Sequence, residues 1–363
     1  MRLAPVYLVK NKSLAADSGT IYVDLPVNEQ IERLVFEFNA NKTSTVDHTN
    51  PIFDQLGKIE VLLDGSKTAF SAEVEVGSIM AFLASGNVPP HEPRERGTAE
   101  VCLPIFFGRY PEDEDYGLDT AGYKSAQLQV SYSVDTTDWA TGSVVYSVWY
   151  MRPIERASWR GFVRQRTIHL LTSSGSAGTE YVELPHGLPW LRVGVRNFDI
   201  DQYIYNDLTA VKFTVDDGRI DLLSQDTDDL INLNRQWYGS VVKSYPVDSV
   251  AADSETLQTY LALMRDLEIC GFSASPRMYG FSSWLGHWFE LRMHSAVGVP
   301  VTVAETVNYR AGGYCLHGAL VLFDNIFEPF PAPSHANGKI ELTLGAYTSV
   351  TETFLQELVE GKL

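Results

Sequence analysis

The chain has 363 residues, of which 45% are hydrophobic and 20% are charged, so it is long enough to form two globular domains with full cores. Its formal net charge of −18 argues against sequence-specific nucleic-acid binding as the main role, because such proteins need cations to displace counterions from phosphate. No apolar run approaches the ~18 residues that a membrane-spanning helix requires, and we expect no signal peptide.

The first 17 residues form a predicted N-terminal arm with a local excess of positive charge. Arg2, Lys10 and Lys12 all precede the first acidic residue, Asp17. This is the first of two basic patches in an otherwise acidic chain.

The stretch of sequence that follows the arm occurs twice in the chain. The sequence TIYVDLP at Thr20–Pro26 returns as TEYVELP at Thr179–Pro185. Each copy is followed by a stretch that alternates apolar and polar residues, first in Ile31–Phe38 and then in Leu188–Phe198. Alternation with period two is typical of a half-buried β-strand. The pattern indicates an internal duplication.

The match continues further along both copies. Gly57–Gly65 and Thr209–Gly218 are again alternating strands, and both end in Asp-Gly, a pair typical of tight turns. A stretch with apolar residues at helical spacing follows each turn. Later strands also correspond, with Ala99–Phe107 resembling Gly318–Phe327 and Ser125–Val134 resembling Gly338–Tyr347.

Short strands joined by polar turns favour an all-β fold of two tandem eight-stranded jelly-roll sandwiches with a few short helices. An even number of strands also predicts that the N-terminus, the connection between repeats and the C-terminus gather at one end. The predicted divisions are an N-terminal arm at 1–17, a first jelly roll at 18–151, an Arg-rich linker at 152–166, a second jelly roll at 167–350 with an insertion at about 239–310, and a C-terminal tail at 351–363.

Two helices are predicted in the second half of the chain. Within the insertion, Asp253 is a candidate N-cap for a helix whose apolar face comprises Leu257, Tyr260, Leu261 and Met264. The C-terminal tail has the composition of another short helix. The insertion also holds Trp284 and Trp288, which could form a sugar-stacking platform but are interpreted more simply as a subunit contact.

The linker is the second basic patch. It contains five arginines and a single glutamate, and Trp159 and Phe162 are interleaved with the arginines. Such a segment could face an anionic lipid surface, or its arginines could pair with acidic residues across domain or subunit contacts. The residues of the two basic patches are Arg2, Lys10, Lys12, Arg152, Arg156, Arg160, Arg164 and Arg166.

Candidate catalytic and metal sites are weak. Cys315 and His317 share one face of a predicted strand, but no orienting acid or oxyanion hole accompanies them, so a packed cysteine is the simpler interpretation. The eight histidines include no His-X-His pair of the cupin type. The acidic loop Glu112–Asp119 lacks the EF-hand register and is interpreted as a solvated loop. We therefore predict no cofactor and no metal.

One motif carries a resemblance to a known family. In Leu103–Tyr132, an apolar strand ends in Phe-Gly-Arg, an acidic loop follows, and an alternating strand returns. Together with the Asp-Gly turn and helical segment in both halves, this resembles the double jelly-roll major capsid proteins of tailless, membrane-containing bacterial and archaeal viruses and, more remotely, of the adenovirus lineage.

The resemblance implies a structural protein and no enzyme. Three copies would form a trimer whose six jelly rolls make a pseudo-hexagonal tile of an icosahedral shell. The implied partners are further copies of the chain, other capsid proteins such as vertex proteins, and an internal lipid membrane facing the two basic patches. The implied location is the virion, with assembly in the host cytoplasm. The alternatives are a two-domain jelly-roll enzyme of the peptide N-glycanase type and a carbohydrate-binding protein.

Overall fold

A computed structural model describes residues 1–41, 55–87, 91–92, 98–137, 139–140, 142–198, 207–238, 240–248, 254–262, 267–271, 277–282, 289–294 and 319–361. The elements of the first half are β1 (Leu3–Ser13), β2 (Ser18–Asp24), β3 (Gln30–Ile31), β4 (Arg33–Asn41), β5 (Leu56–Leu63), β6 (Lys67–Glu73), α1 (Val74–Ser85), β7 (His91–Glu92), β8 (Thr98–Phe106), β9 (Leu118–Asp119), β10 (Ala126–Ser133) and β11 (Val145–Pro153).

The second half repeats this series with an insertion before its last three strands. Its elements are β12 (Gly161–Thr172), β13 (Gly178–Leu184), β14 (Trp190–Phe198), β15 (Leu208–Val215), β16 (Ile220–Asp226), α2 (Thr227–Tyr238), β17 (Ser240–Asp248), β18 (Ser254–Ala262), β19 (Leu267–Gly271), β20 (Arg277–Ser282), β21 (Phe289–His294), β22 (Ala319–Asp324), β23 (Gly338–Leu344) and β24 (Val350–Glu360).

Each half forms a sandwich of two antiparallel sheets with the same strand order. In the first half, the two sets of neighbouring strands are β1-β11-β4-β8 and β2-β10-β5-β6. In the second half, they are β12-β24-β14-β22 and β13-β23-β15-β16. Two eight-stranded jelly rolls result, so the predicted all-β double jelly roll with short helices is confirmed.

Local sequence explains the strands and turns. Strand β10 alternates buried and less buried residues along its length, as a strand with one face on a core must. The turn after β5 uses Asp64 and Gly65, and the turn after β15 uses Asp217 and Gly218. All four residues have positive φ values of 51°, 76°, 55° and 80°, which Asp and Gly tolerate. The predicted Asp-Gly turns are present in both repeats.

The two sandwiches share one sheet. Strand β6 lies parallel to β12, with Phe70 opposite Gln165 and Ser71 opposite Arg166. This pairing joins four strands of the first repeat to four strands of the second in the order β2-β10-β5-β6-β12-β24-β14-β22. Buried apolar residues of both repeats accordingly form one connected core cluster. We call this boundary between the repeats the junction.

The structure extends both repeats beyond their predicted bounds. The predicted N-terminal arm forms β1, which pairs with β11, and the predicted linker contributes its last residues to β12. The predicted C-terminal tail forms β24, so the helix predicted there is wrong. Strand β24 lies between β12 and β14 and is buried on both faces, and this two-sided burial removes the alternation that marks other strands.

The helix predicted after Asp253 is also wrong. Residues Ser254–Ala262 form β18, which pairs along its length with β17 and over five residues with β19. Partners on both sides satisfy the backbone hydrogen bonds of the strand and override a helical spacing of apolar residues. Neither helix in the described part of the chain combines the length and hydrophobicity that crossing a membrane requires.

Candidate functional site

The termini and the connection between repeats meet at one end of the molecule, as predicted. The backbone N–H of Ile154 donates to the carbonyl of Arg2 at 2.9 Å, and the N–H of Gly361 donates to the carbonyl of Arg160 at 2.7 Å. The N-terminal amine lies 3.4 Å from a carboxylate oxygen of Glu114. We call this end of the molecule the terminal end.

All five linker arginines lie within ion-pair distance of carboxylates. Three of them are exposed, with 47%, 66% and 68% of the side chain accessible, and each faces an acidic residue of the first repeat. The other two converge on one buried glutamate of β24. The pairs are Arg152–Glu29 (3.5 Å), Arg156–Asp119 (3.1 Å), Arg160–Asp115 (3.6 Å), Arg164–Glu357 (2.7 Å) and Arg166–Glu357 (3.0 Å).

Lys10 and Lys12 do not lie at the terminal end, although the sequence analysis placed them there. Strand β1 begins beside the linker, with Leu3 opposite Pro153, and then runs away from it until Lys12 is opposite Tyr146. At about 3.3 Å per residue, Lys12 is roughly 30 Å from Leu3. The predicted patch is therefore divided, because the arm is an extended strand and spans the sandwich. Arg2 stays at the terminal end.

The acidic loop of the first repeat is organised by one arginine. Arg109 Nε donates to Asp113 at 2.7 Å and Nη2 donates to Asp113 at 2.9 Å and to Asp115 at 3.0 Å. Burial opposes ionisation of Asp113, but the hydrogen bonds from Arg109 outweigh it and lower the pKa of this carboxyl group. The guanidinium group also stacks on Tyr116, at 4.7 Å from the ring centre. These contacts fix the conformation of the loop, so it is not the solvated loop that the sequence analysis predicted.

This loop holds the second repeat in place. Tyr116 forms a parallel bridge with Gly161, the first residue of β12, and the N–H of Gly117 donates to the carbonyl of Gly161 at 2.9 Å. A Cβ atom on Gly161 would lie 1.8 Å from the carbonyl oxygen of Val359, so this close approach requires glycine. Tyr116, Val163, Leu191 and Leu358 form a small buried cluster across the junction.

Buried polar side chains cross the junction beside this cluster. Gln165 of β12 donates to the backbone carbonyl of Phe106 in the first repeat and accepts from Gln356 at 3.0 Å. Arg196 Nη1 lies 2.5 Å from a carboxylate oxygen of Glu352, and Arg196 Nη2 lies 3.9 Å from Glu75 of α1. The junction therefore combines apolar packing with ion pairs.

Burial controls the ionisation of the acidic groups at the junction. It raises the pKa of Glu352, while the neighbouring Arg196 lowers it and Glu75 raises it further. Burial also raises the pKa of Glu73, with added repulsion from Glu75 and Glu352. Arg196 is thus the main counter-charge of Glu352, whereas the charge of Lys58 opposes the rise for Glu73 more strongly than Arg196 does.

A second network lies farther along β14. Arg192 donates to Asp324 at 2.9 Å through Nε and to Gln356 at 2.8 Å through Nη1. The hydroxyl of Tyr238, at the end of α2, donates to Asp324. Burial and the charge of Asp324 together raise the pKa of Tyr238. The ring of Tyr238 also contacts Phe82 of α1 at 6.5 Å between centres, which connects the helices of the two repeats.

The structure does not support a catalytic or metal site at the other residues that the sequence analysis considered. Cys315, His317, Trp284 and Trp288 lie outside the described residues. Burial raises the pKa of Cys102 to about 12, so this thiol is protonated at neutral pH. Within the described ranges, no group of three or more His, Cys, Asp and Glu side chains is arranged to hold a metal ion.

The sequence analysis missed the charged groups of the junction. Arg192 and Arg196 are four residues apart, as are Glu352 and Gln356, so each pair lies on one face of its strand. The available signal was that two strands carry polar residues on one face, two arginines in one strand and a glutamate and a glutamine in the other. Pairing could not be inferred because the sequence did not show that β14 and β24 are neighbours.

Comparison with solved structures places this architecture among known ones. The chain matches a crystal structure of the STIV MCP with a TM-score of 0.56 and 12% identity over 99% of this chain and 97% of the other. It matches the major capsid protein P2 from Bacteriophage PM2 with a TM-score of 0.50 and 10% identity over 98% of both chains. An atomic structure of Sulfolobus Turreted Icosahedral Virus gives a TM-score of 0.58 at 12% identity, covering 99% of this chain and 91% of that one.

No family model matches the sequence, and no curated protein matches it. The structural likeness nevertheless spans nearly the full length of both partners, across both sandwiches. At identities of 10–12%, a likeness of this extent identifies an architecture. The chain has the double jelly-roll fold of these capsid proteins.

Proposed function

We propose that this protein is a major capsid protein that assembles as a homotrimer into the shell of an icosahedral virus. The observation that carries the proposal is the pair of equivalent eight-stranded sandwiches, one from each half of the chain, joined at β6 and β12. Three copies supply six similar sandwiches, and six similar units arranged around an axis form a pseudo-hexagonal tile. Such a tile packs without gaps into a shell.

The buried carboxylates that support this architecture are engaged structurally. Glu357, Asp113 and Glu352 are each bound by an arginine. An enzyme of the peptide N-glycanase type would instead use a carboxyl group exposed to its substrate in a cleft. These three carboxylates stabilise the fold and are not available as such a group.

The terminal end is the surface that we assign to the inside of the shell, where it would face an internal membrane. Arg2, Arg152, Arg156 and Arg160 are exposed there. The proposal includes only weak attraction to lipid, because the three linker arginines already face carboxylates. Vertex proteins are further proposed partners, and assembly is proposed to occur in the host cytoplasm before the protein resides in the virion.

Light scattering across a dilution series tests the proposal. We expect a concentration-independent mass near three times 40.5 kDa. A monomer at every concentration would contradict the homotrimer. Negative-stain electron microscopy of the same sample should then show a particle of hexagonal outline, and a trimer with an open or linear outline would contradict the tile.

A further inference from the structure

The two strands that meet at the junction each have an equivalent elsewhere in the molecule. By their places in the sheets, β16 is the equivalent of β6, and β1 is the equivalent of β12. Among the described residues, β16 pairs with β15 alone and β1 pairs with β11 alone, so each has an open edge. The chain thus carries both halves of a second junction, and they are not joined to each other.

Residues of β16 and β1 should be more exposed than their equivalents in β6 and β12, which cover each other at the junction, and they are. Phe70 of β6 is 1% exposed, whereas its equivalent Leu223 in β16 is half-buried. Gln165 of β12 is 2% exposed, whereas Tyr7 of β1 is 52% exposed. Tyr7 is equivalent to Gln165 because Tyr7 lies opposite Trp149 and Gln165 lies opposite Gln356 at matching positions of β11 and β24.

The helices that follow β6 and β16 also differ in exposure, and the helix that follows β16 is the more exposed of the two. Helix α1 is apolar on nearly all sides and contacts the second repeat through Glu75 and Phe82. Helix α2, which follows β16, exposes Trp237 to 47%. The equivalent residue of α1, Ala84, is buried at 8%. Among the described residues, the surface that the junction covers in the first repeat is therefore more exposed in the second.

Charge on the two open edges is complementary. Strand β1 contains no acidic residue and carries Lys10 and Lys12, both exposed. Strand β16 and the first turn of α2 carry Asp221, Asp226, Asp228 and Asp229, and all four are exposed. Transferring the junction register, in which Phe70 lies opposite Gln165, places Leu223 opposite Tyr7. Continuing both strands in parallel for three residues brings Asp226 level with Lys10.

We propose that β1 of one copy docks beside β16 of a second copy in the arrangement that β12 and β6 adopt within the chain. This inference rests on the proposed function and specifies its contact between subunits. Each copy offers one β1 edge and one β16 edge, so the contact is head-to-tail and can close into a ring. It also gives Lys10 and Lys12 a role in assembly, at the opposite end of β1 from Arg2.

Charge reversal tests the contact. Lys10→Glu alone and Asp226→Lys alone each place like charges across the proposed interface, so each should raise the concentration of half-dissociation by at least about tenfold. Combining them restores opposite charges and should return the native mass to that of the wild type. Lys124→Glu, an equal change at an exposed residue away from both edges, is the matched control.

The outcomes separate this contact from the proposed function. A monomeric wild type contradicts the trimer itself. A trimeric wild type whose single variants dissociate, and whose combined variant recovers, supports the contact. A trimeric wild type whose single variants remain as stable as Lys124→Glu overturns the contact and leaves the trimer in place.

A cross-link supplies a readout that does not depend on weakening the assembly. Lys10→Cys combined with Asp226→Cys should form disulfides between copies under oxidation, because neighbouring strands bring Cα atoms within the ~4.4–6.8 Å that a disulfide spans. Denaturing gels without reductant should show bands of two and three chains. Lys10→Cys alone should show none. Absence of cross-linked bands from the trimeric double variant would overturn the pairing of these edges.

Discussion

Strands β11 and β24 occupy the same place in their two sandwiches, yet they have different surroundings. Glu352, Phe354 and Gln356 of β24 are all buried, because one face of this strand is covered by the first repeat. At the equivalent positions of β11, Ser147 is also buried, but Val145 and Trp149 are only half-buried. The same strand position can thus serve as an outer surface or as an interior, depending on what packs against it.

The residues at the junction show how a covered face differs from an open one. Arg196 and Glu352 form a buried ion pair where the first repeat has Asn39 opposite Val145. Gly194 accommodates the ring of Phe354 where the first repeat has Glu37 opposite Ser147. The covered face therefore contains a large aromatic ring, a glycine that leaves space for it and a buried ion pair, none of which is present at the equivalent positions of the first repeat. The predictions below alter these differences, beginning with the largest expected effect.

Glu357→Gln should be the most destabilising change. The side chain of Glu357 is fully buried between Arg164 and Arg166, which are only 17% and 26% exposed. Removing its charge leaves two poorly hydrated guanidinium groups without a counter-charge, and we expect a loss of about 3–5 kcal/mol in the free energy of unfolding. Urea denaturation at fixed protein concentration measures it.

Lys58→Met is the control for Glu357→Gln, because it removes a pair at the surface, with Lys58 49% exposed. It should cost no more than about 1 kcal/mol. Equal effects of the two variants would contradict a structural role for Glu357. The residue of β11 that is equivalent to Glu357 is Tyr150, so the first repeat has an uncharged side chain where the second repeat has this glutamate.

Arg196→Met should make stability depend on pH near Glu352. Burial already raises the pKa of Glu352 above its ordinary value of 4.5, and loss of Arg196 removes the opposing effect. A raised pKa in the folded state means that the stability contributed is complete below the unfolded value and is lost as pH rises through the folded value. The variant should therefore be least stable at high pH and recover as pH falls towards 4.5.

Unfolding curves at several pH values between roughly 5 and 8 measure the effect of Arg196→Met against the wild type. We expect a loss of about 3 kcal/mol at the upper end, as for other buried pairs with one partner removed. A loss independent of pH would show that Arg196 acts through packing and not through Glu352.

Gly194→Ala should cost about 1–3 kcal/mol because it overpacks the junction face. A Cβ atom on Gly194 would lie 2.1 Å from the ring of Phe354, whose side chain is fully buried and cannot move into solvent. Gly187→Ala is the control, since no atom lies within 4 Å of its added Cβ. A thermal melt that ranks Gly187→Ala as the more damaging variant would contradict the packing.

Arg156→Ala with Arg160→Ala should have the smallest effect on stability. Both arginines are about two-thirds exposed and pair with Asp119 and Asp115 at the surface, so we expect a change within about 1 kcal/mol. Vesicle affinity measured by flotation with anionic vesicles should fall by no more than about thirtyfold, because each of the two arginines contributes at most ~1 kcal/mol to lipid attraction. Failure of the wild type to float with anionic vesicles would remove lipid from its proposed partners.

The duplication was accessible from the sequence because it is local. Each copy of the TxYVxLP motif, each Asp-Gly turn and each alternating strand depends on contacts within one sandwich face or one turn, and these leave a period of two in the residues. Tyr22 and Tyr181 occupy the same position in the two motifs and are both exposed, as that alternation requires.

Only the tertiary structure decided the roles of β1, β24 and the charged residues. Burial of β24 on both faces removed its alternation, and the extension of β1 carried Lys10 and Lys12 far from the linker. Whether Arg164 faces lipid or Glu357 depends on a contact between residues 193 positions apart. Local sequence indicates whether a segment can form a strand or a turn. The burial of that strand and the partners of its charged residues depend on which distant segment packs against it.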